Sequence, residues 1–321
     1  MADQRASENG SEAGTLRAIV AALGANLGIA LSKFVAFIFT GSSSMLAEAV
    51  HSLADTANQV LLLIGGRRSR RQPTQLHPFG YGRFRYLYAF LVTVVIFLVG
   101  GVFALYEGYH KLKEPHPIES PVWAFAVLGI AIVLESFSLR TAVRESASSR
   151  RGATWLAFIR RTKIPELPVV LLEDLGALSG LAFALMGITL AVITDDGRWD
   201  AVGTLAIGVL LVAISALLST RMRSLLIGES ADAQILEEIE AALVAEPLID
   251  CLIHLRTMHL GPDQLLVAAK VAVSADERMS RIATAIDSAE ARVRACVPLE
   301  CLIFIEPDIL DPARLPADTT P

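Results

Sequence analysis

The sequence has little charge, few cysteines and few aromatic residues for a chain of 321 residues. Charged side chains make up 19% of it, against roughly a quarter in an average soluble domain, and 53% of the residues are hydrophobic. The charges lie in short segments between long apolar runs, which is typical of a chain that crosses a membrane several times. The composition, with a net charge of −5, predicts a polytopic membrane protein without a nucleic-acid partner.

The three cysteines, Cys251, Cys296 and Cys301, all lie in the last third of the chain and form no CxxC pair. This pattern indicates reduced thiols in a cytosolic compartment rather than a disulfide framework. The first fourteen residues are polar and contain acids, which is typical of neither a secretory leader nor a transit peptide. We therefore predict a disordered tail over 1–14 and an uncleaved first apolar segment.

Six apolar runs are each near the ~20 residues that a membrane-spanning helix requires. The predicted spans are 15–39, 43–65, 86–108, 120–142, 168–193 and 199–219. Together they form a predicted six-helix transmembrane domain over 15–222. Only the turn TGSSS (40–44) separates the first two spans, which predicts a tight antiparallel hairpin.

Positive charge is distributed unevenly over the connecting segments. Six arginines and no acid lie between the second and third spans, and six arginines and one lysine lie between residues 140 and 163. The opposite side carries only Lys111, Lys113 and Arg198. Because positively charged loops stay on the cytoplasmic face, both termini are predicted to be cytoplasmic.

The pattern changes from about residue 225. Residues 232–246 and 280–296 have the apolar spacing of amphipathic helices, and CLIHLRTMHL, QLLVAAKVAV and ECLIFIEP are typical of strands. The order αββαβ predicts a cytosolic, ferredoxin-like α+β domain over 225–310, with its helices on one face of a three-stranded sheet. Residues 311–321 are predicted to be a disordered tail.

Ionisable groups inside the predicted spans are candidate functional residues, because each costs a few kcal/mol at the centre of a bilayer. In the second span, Glu48, His51 and Asp55 are spaced so that they stack on one helical face. Asn58 continues that face by one further step. An imidazole and a carboxylate one turn apart form a bidentate site for a borderline divalent ion such as Zn²⁺.

The fifth span has only two acids, the adjacent Glu173 and Asp174, whose side chains point about a hundred degrees apart. Either acid placed opposite His51 and Asp55 would supply a third protein ligand. The fourth ligand stays open between the other acid, the two remaining polar residues of the second-span face, and water.

A structural interpretation competes with the metal site. In it, the buried acids pair with Lys33 in the first span or with Arg140 after the fourth. For Glu135 in the fourth span we prefer this interpretation, as a partner of one of these two cations.

These residues, in this order, resemble the cation diffusion facilitator family. The resemblance covers about 15 to 308 and rests on TGSSSMLAEAVHSLADTANQ, HPFGYGRFRY, the acid pair of the fifth span and the αββαβ tail. It implies a homodimer in the lipid bilayer that exports a divalent metal ion, Zn²⁺ first and Mn²⁺, Fe²⁺ or Co²⁺ as alternatives. Protons are the implied counter-ion, moved by alternating access. Neither enzyme activity nor a cofactor is implied.

The resemblance places two ligands one turn apart in each of two spans, at His51 and Asp55 and at Val170 and Asp174. A valine cannot ligate a metal, so Glu173 is the candidate for the replaced ligand. VVLLEDLGAL and LYEGYHKL are more similar to the subgroup that contains a mitochondrial zinc transporter and its bacterial relatives. We therefore place the protein in a bacterial cytoplasmic membrane.

The tail domain lacks most of the metal ligands that some family members have there. The matching positions hold Ile253, Ala269, Phe304 and Glu306, and three of these four side chains cannot bind a metal. We therefore expect the dimer to form through apolar packing rather than through a bridging zinc ion.

Two other functions fit the same residues. One is a membrane-anchored regulator or scaffold, in which the intramembrane acids only hold the helices together. The other is a proton-coupled carrier of an organic cation, which would need a roomy aromatic-lined cavity. The second and fifth spans have no aromatic residue near their acids, which argues against the organic-cation carrier.

Overall fold

The structure is a computed structural model and describes Gly24 and residues 26–118, 120–150 and 152–310. The predicted tails 1–14 and 311–321 lie outside the described residues, as does the start of the first predicted span. The helices are α1 (Asn26–Thr40), α2 (Ser43–Ser69), α3 (Phe84–Lys113), α4 (Pro121–Arg150), α5 (Trp155–Arg161), α6 (Glu166–Thr194), α7 (Arg198–Ile227), α8 (Ala233–Val244) and α9 (Met279–Cys296). The strands are β1 (Cys251–Gly261), β2 (Gln264–Ala272) and β3 (Glu300–Asp308).

The chain divides into two compact units, which are described separately. The first contains the described chain up to Gly66 and Leu87–Arg223, and the second contains Arg67–Tyr86 and the chain from Ser224 onward. The mostly helical class with a small sheet at the C-terminal end is thereby confirmed.

Four helices of the first unit are long and apolar enough to cross a membrane: α3, α4 up to Ala147, α6 and α7. They correspond to the third to sixth predicted spans. The described part of α1 is apolar but shorter, and α2 has 27 residues but carries several polar groups. The first two spans therefore stay predictions.

Helix α3 changes winding in its middle. Residues Ile96–Val102 are π-helical and lie between two α-helical stretches. A methyl group added at Gly101 would stand 2.8 Å from Val212 Cγ2, and one at Gly108 would stand 2.9 Å from Leu205 Cγ. Helices α3 and α7 therefore approach each other closely because glycines leave room for the neighbouring side chains.

The turn between α1 and α2 is anchored by one buried acid at the start of α7. Asp200 Oδ1 accepts a hydrogen bond from Ser42 Oγ at 2.9 Å and another from Ser44 Oγ. Its Oδ2 accepts from the backbone N–H of Ser43 at 2.8 Å and from Ser43 Oγ at 3.2 Å. Gly41, with a φ of 60°, makes the turn possible, because a side chain is strained in this conformation. Asp200 thus supplies an acceptor to the N-terminus of α2.

The second unit contains a three-stranded sheet in the order β1-β2-β3. Strands β1 and β2 are antiparallel, with Thr257 opposite Val267, and β2 and β3 are parallel, with Val267 opposite Ile303. Helices α8 and α9 contribute Ile239 and Val293 to the same apolar core as Val267 and Ile303. The segment Arg67–Tyr86, which includes the first residues of α3, belongs to this unit, and Arg85 Nη1 lies 2.7 Å from Asp263 Oδ2.

We expect Asp200→Asn to lower the stability of the protein by about 1–3 kcal/mol, because an amide cannot accept all of the hydrogen bonds that the buried carboxylate accepts. Asp195→Asn is the matched control. It lies in the exposed turn before α7, and the change should stay within about 0.5 kcal/mol. Thermal unfolding of both variants in detergent measures the difference, and equal melting temperatures would contradict the anchoring role of Asp200.

Candidate metal centre

Helix α2 buries a stacked row of polar side chains. Glu48 and Asn58 are 0% exposed, His51 is 1% exposed and Asp55 is 9% exposed. Their spacing of three or four residues places them on one face, as the helical period requires. A helix in a membrane satisfies its own backbone groups, so only these side chains need partners from other helices.

This row lies beside a small cavity between α1, α2, α4 and α6. The cavity has a volume of about 50 Å³. Four carboxyl groups line it, those of Asp55, Glu135, Glu173 and Asp174. Further lining residues are Asn26, Ile29, Ser52, Gln59, Ser138 and Val170. The structure thus brings three of the six predicted ligands, Asp55, Glu173 and Asp174, to one cavity.

The two adjacent acids of α6 have different partners. Glu173 Oε1 accepts a hydrogen bond from Asn58 Nδ2 at 3.0 Å, and Glu173 lines the same cavity as Asp55. Asp174 Oδ2 instead accepts from Ser138 Oγ of α4 at 3.0 Å. Carboxyl groups that line one small cavity repel each other when all are charged, so a proton or a cation is needed among them.

His51 lies at the edge of this cluster rather than in the cavity wall. Its Nδ1 is 3.5 Å from Asp55 Oδ1, and in the described part of the chain neither ring nitrogen has a hydrogen-bond partner. A methyl group at Gly100, in the π-helical part of α3, would stand 3.7 Å from the same nitrogen. A buried imidazole without a hydrogen bond is costly, and a metal ion is one partner that would compensate.

The carboxyl group of Glu48 already forms an ion pair with a lysine of the same chain. Its Oε2 lies 3.1 Å from the ammonium of Lys33 in α1, and both side chains are fully buried. Lys33 also lies 4.0 Å from Glu135 Oε1, so Glu135 has the partner that the structural interpretation expected. Glu48 does not line the cavity, and its role as a ligand stays a prediction.

Among the residues that the structure describes, no three His, Cys, Asp or Glu side chains converge closely enough to hold a metal ion. The ligand set of His51, Asp55, Glu173, Asp174, Glu48 and Asn58 therefore stays a prediction. Val170 lines the cavity one turn before Asp174, so the replaced ligand position does face this space.

The sequence interpretation missed Ser52, Gln59 and Ser138. Ser138 follows Glu135 by one helical turn, and Ser52 and Gln59 flank the row on α2. A signal was present, since polar residues that recur one turn from an intramembrane acid share its face. Serine and glutamine are common enough in membrane helices that this spacing alone did not single them out.

Residues 19–227 match the protein family described as the cation efflux transmembrane domain. The chain belongs to this family, the cation diffusion facilitators. It is therefore an integral membrane protein of the cation efflux type, as the residue pattern and the four apolar helices indicate.

Several curated relatives are similar to this chain, two of them over most of its length. The mitochondrial proton-coupled zinc antiporter SLC30A9 of Homo sapiens is 34% identical over 241 residues, which are 74% of this chain and 42% of the relative. Metal tolerance protein C4 of Arabidopsis thaliana is 30% identical over 257 residues, 79% of this chain and 56% of the relative. Zinc transporter ZitB of Escherichia coli (strain K12) is 34% identical over 124 residues, 38% of this chain and 39% of the relative. The chain thus spans about half or less of the length of these relatives.

We expect Asn58→Leu to weaken the binding of Zn²⁺ by about tenfold, because Glu173 loses the donor that orients it, and partners of this kind typically contribute 10–100-fold to metal affinity. Calorimetric titration of the purified protein with Zn²⁺ measures this. Thr56→Val is the matched control on the same helix, since Thr56 Oγ1 bonds only to Ser52 O and does not line the cavity. If both variants bound Zn²⁺ like the wild type, Asn58 would have no part in the site.

Proposed function

We propose that this protein exports a divalent transition-metal ion, Zn²⁺ before Mn²⁺, Fe²⁺ or Co²⁺, in exchange for protons. The observation that carries the proposal is that the carboxyl groups of Asp55, Glu173 and Asp174 line one small cavity. Three carboxylates without a cation would be very unfavourable in a membrane-spanning unit. A divalent ion compensates them, and so do protons, which is the competition that an antiporter requires.

The ion pairs among the described residues support a transport role for Asp55, Glu173 and Asp174 over a purely structural one. Within the described residues, no lysine or arginine forms an ion pair with Asp55, Glu173 or Asp174, whereas Glu48 and Glu135 share Lys33. A scaffold that used its acids to hold helices together would pair all of them in this way. The regulator hypothesis therefore explains Glu48 and Glu135 but not the other three acids.

The size and lining of the cavity favour a metal ion over an organic cation. A volume of about 50 Å³ has room for a few water molecules, since roughly 10–15 Å³ of such space already holds one. Among the described residues, no aromatic side chain lines it. One imidazole and several carboxylates form a ligand set that suits Zn²⁺, and the abundance of oxygen ligands also allows Mn²⁺, Fe²⁺ or Co²⁺.

In this proposal the metal ion enters from the side of the arginine-rich segments, which is the cytoplasmic side. Asp55, Glu173 and Asp174 bind it, and His51 joins them as a neutral imidazole with the loss of its proton. Rocking of helices around the fixed site then exposes it to the other side, where protons replace the metal. Gly176 and Gly180 let α6 pack closely against its neighbours and so favour this movement.

The remaining parts of the proposal concern assembly and location. We place the protein as a homodimer in a bacterial cytoplasmic membrane, with both termini in the cytoplasm. Phe304, on strand β3, is 56% exposed and is an apolar contact that a second copy could cover. The protein acts as a carrier, with neither a catalytic residue nor a resident cofactor.

Metal uptake into proteoliposomes under an imposed pH gradient tests the transport function. We expect Zn²⁺ uptake with counterflow of protons, and at least a tenfold lower rate in Asp55→Asn, because a first ligand matters at least as much as a residue that orients one. Asp195→Asn, an exposed acid outside the cavity, is the matched control and should transport like the wild type.

The outcome of this assay separates the two functions. If no metal moves while Asp55→Asn folds and dimerises like the wild type, the acids have no transport role and the membrane-anchored regulator becomes the better account. If Mn²⁺, Fe²⁺ or Co²⁺ moves faster than Zn²⁺, export stands and the metal preference is wrong.

A further inference from the structure

Lys33 is a fully buried ammonium in the membrane-spanning unit. It is 0% exposed and lies in α1, whose residues are mostly apolar. Its Nζ lies 3.1 Å from Glu48 Oε2, 2.7 Å from Ser52 Oγ and 4.0 Å from Glu135 Oε1. A buried charge costs several kcal/mol unless it is paired, so these contacts fix the position of the ammonium.

The partners of Lys33 adjoin the candidate metal ligands. Ser52 and Glu135 line the same cavity as Asp55, Glu173 and Asp174. Glu48 lies two helical turns before Asp55 on the same face of α2, toward the α1–α2 turn. The five acids of this region therefore form two groups, and the ammonium contacts only the group of Glu48 and Glu135.

Glu48 would be an efficient metal ligand without this ammonium. Its second oxygen, Oε1, is buried and has no hydrogen-bond partner among the described residues. The same oxygen fills the space beside Gly180 of α6, where even a methyl group would clash with it. A buried carboxylate without its cation would attract a divalent ion strongly.

We propose that Lys33 is a specificity-determining residue that occupies Glu48 and Glu135 as a tethered cation and so confines the transported metal ion to Asp55, Glu173 and Asp174. The inference rests on the proposed function and adds the residue that limits how tightly the ion is held. With the ammonium removed, Glu48 and Glu135 offer the ion a second binding position, which extends from the cavity toward the α1–α2 turn, and the ion leaves more slowly. A carrier must bind its ion weakly enough to release it. The ammonium of Lys33 prevents tighter binding because it keeps Glu48 and Glu135 paired.

Zn²⁺ binding by Lys33→Met tests this directly, since methionine keeps most of the length of the side chain and removes its charge. We expect Zn²⁺ to bind about tenfold more tightly than to the wild type, in the range that a repositioned ligand group contributes. Transport in proteoliposomes should show a lower KM together with a lower kcat. A purely structural role for Lys33 would instead lower only the amount of active protein and leave the KM unchanged.

Two further variants complete the test. Lys33→Met combined with Glu48→Gln removes both charges of the pair, so it leaves no buried charge unpaired and should return the Zn²⁺ affinity to within about threefold of the wild type. Lys113→Met removes an exposed lysine at the end of α3 and is the matched control, with unchanged affinity and KM.

Each result tests the proposed role of Lys33, the proposed transport function, or both. If Lys33→Met binds Zn²⁺ no more tightly than the wild type, or if the double variant binds about tenfold more weakly, Glu48 is a ligand or a bystander and the inference is overturned. If Lys33→Met cannot be purified, Lys33→Gln, which removes the same charge but keeps a hydrogen-bond donor for Glu48 and Ser52, takes its place in the same measurement. Tighter binding by Lys33→Met in a protein that moves no metal would contradict the transport function and leave the role of Lys33 intact. A wild-type protein that binds no Zn²⁺ would overturn both.

Discussion

The structure depends on how carboxyl groups are stabilised once they are removed from water. Five acids lie between α1, α2, α4 and α6, and an unpaired charge in such a place costs several kcal/mol. Lys33 provides a partner for Glu48 and Glu135, while Asn58 and Ser138 donate hydrogen bonds to Glu173 and Asp174. Hydrogen bonds do not neutralise charge, so the carboxyl groups of Asp55, Glu173 and Asp174 at one cavity still need protons or a cation. In the proposed function, a divalent metal ion that exchanges with protons meets this need.

The helices around this cluster are positioned by close packing rather than by further charges. Glycines of α3 allow α7 to approach, and Gly180 of α6 leaves the space that Glu48 fills. At the start of α2, Asp200 holds the α1–α2 turn through the serine side chains and a backbone N–H. These contacts fix the rotation of α2, and this rotation decides which of its polar residues face the cavity.

The sequence predicted what depends on a single helix and missed what depends on the contact between helices. The helical period alone places Glu48, His51, Asp55 and Asn58 on one face, and the structure has all four of them buried. The different partners of Glu173 and Asp174 depend on how α6 packs against α2 and α4, as does the place of Ser138, so local spacing could not reveal them. Four of the six predicted spans coincide with helices that are long and apolar enough to cross a membrane, because long apolar runs give a clear signal, whereas the polar residues of α2 weaken that same signal.

The central claim is that a divalent ion binds among His51, Asp55, Glu173 and Asp174, and X-ray absorption at the zinc edge tests it most directly. The account predicts a first shell of nitrogen and oxygen atoms near ~2.0–2.2 Å with the outer scattering of one imidazole, and it predicts that His51→Ala removes that imidazole signal. Sulfur scattering near ~2.3 Å would place the ion at cysteines, all of which lie in the second unit. Such a result, or a spectrum that His51→Ala leaves unchanged, would contradict the account.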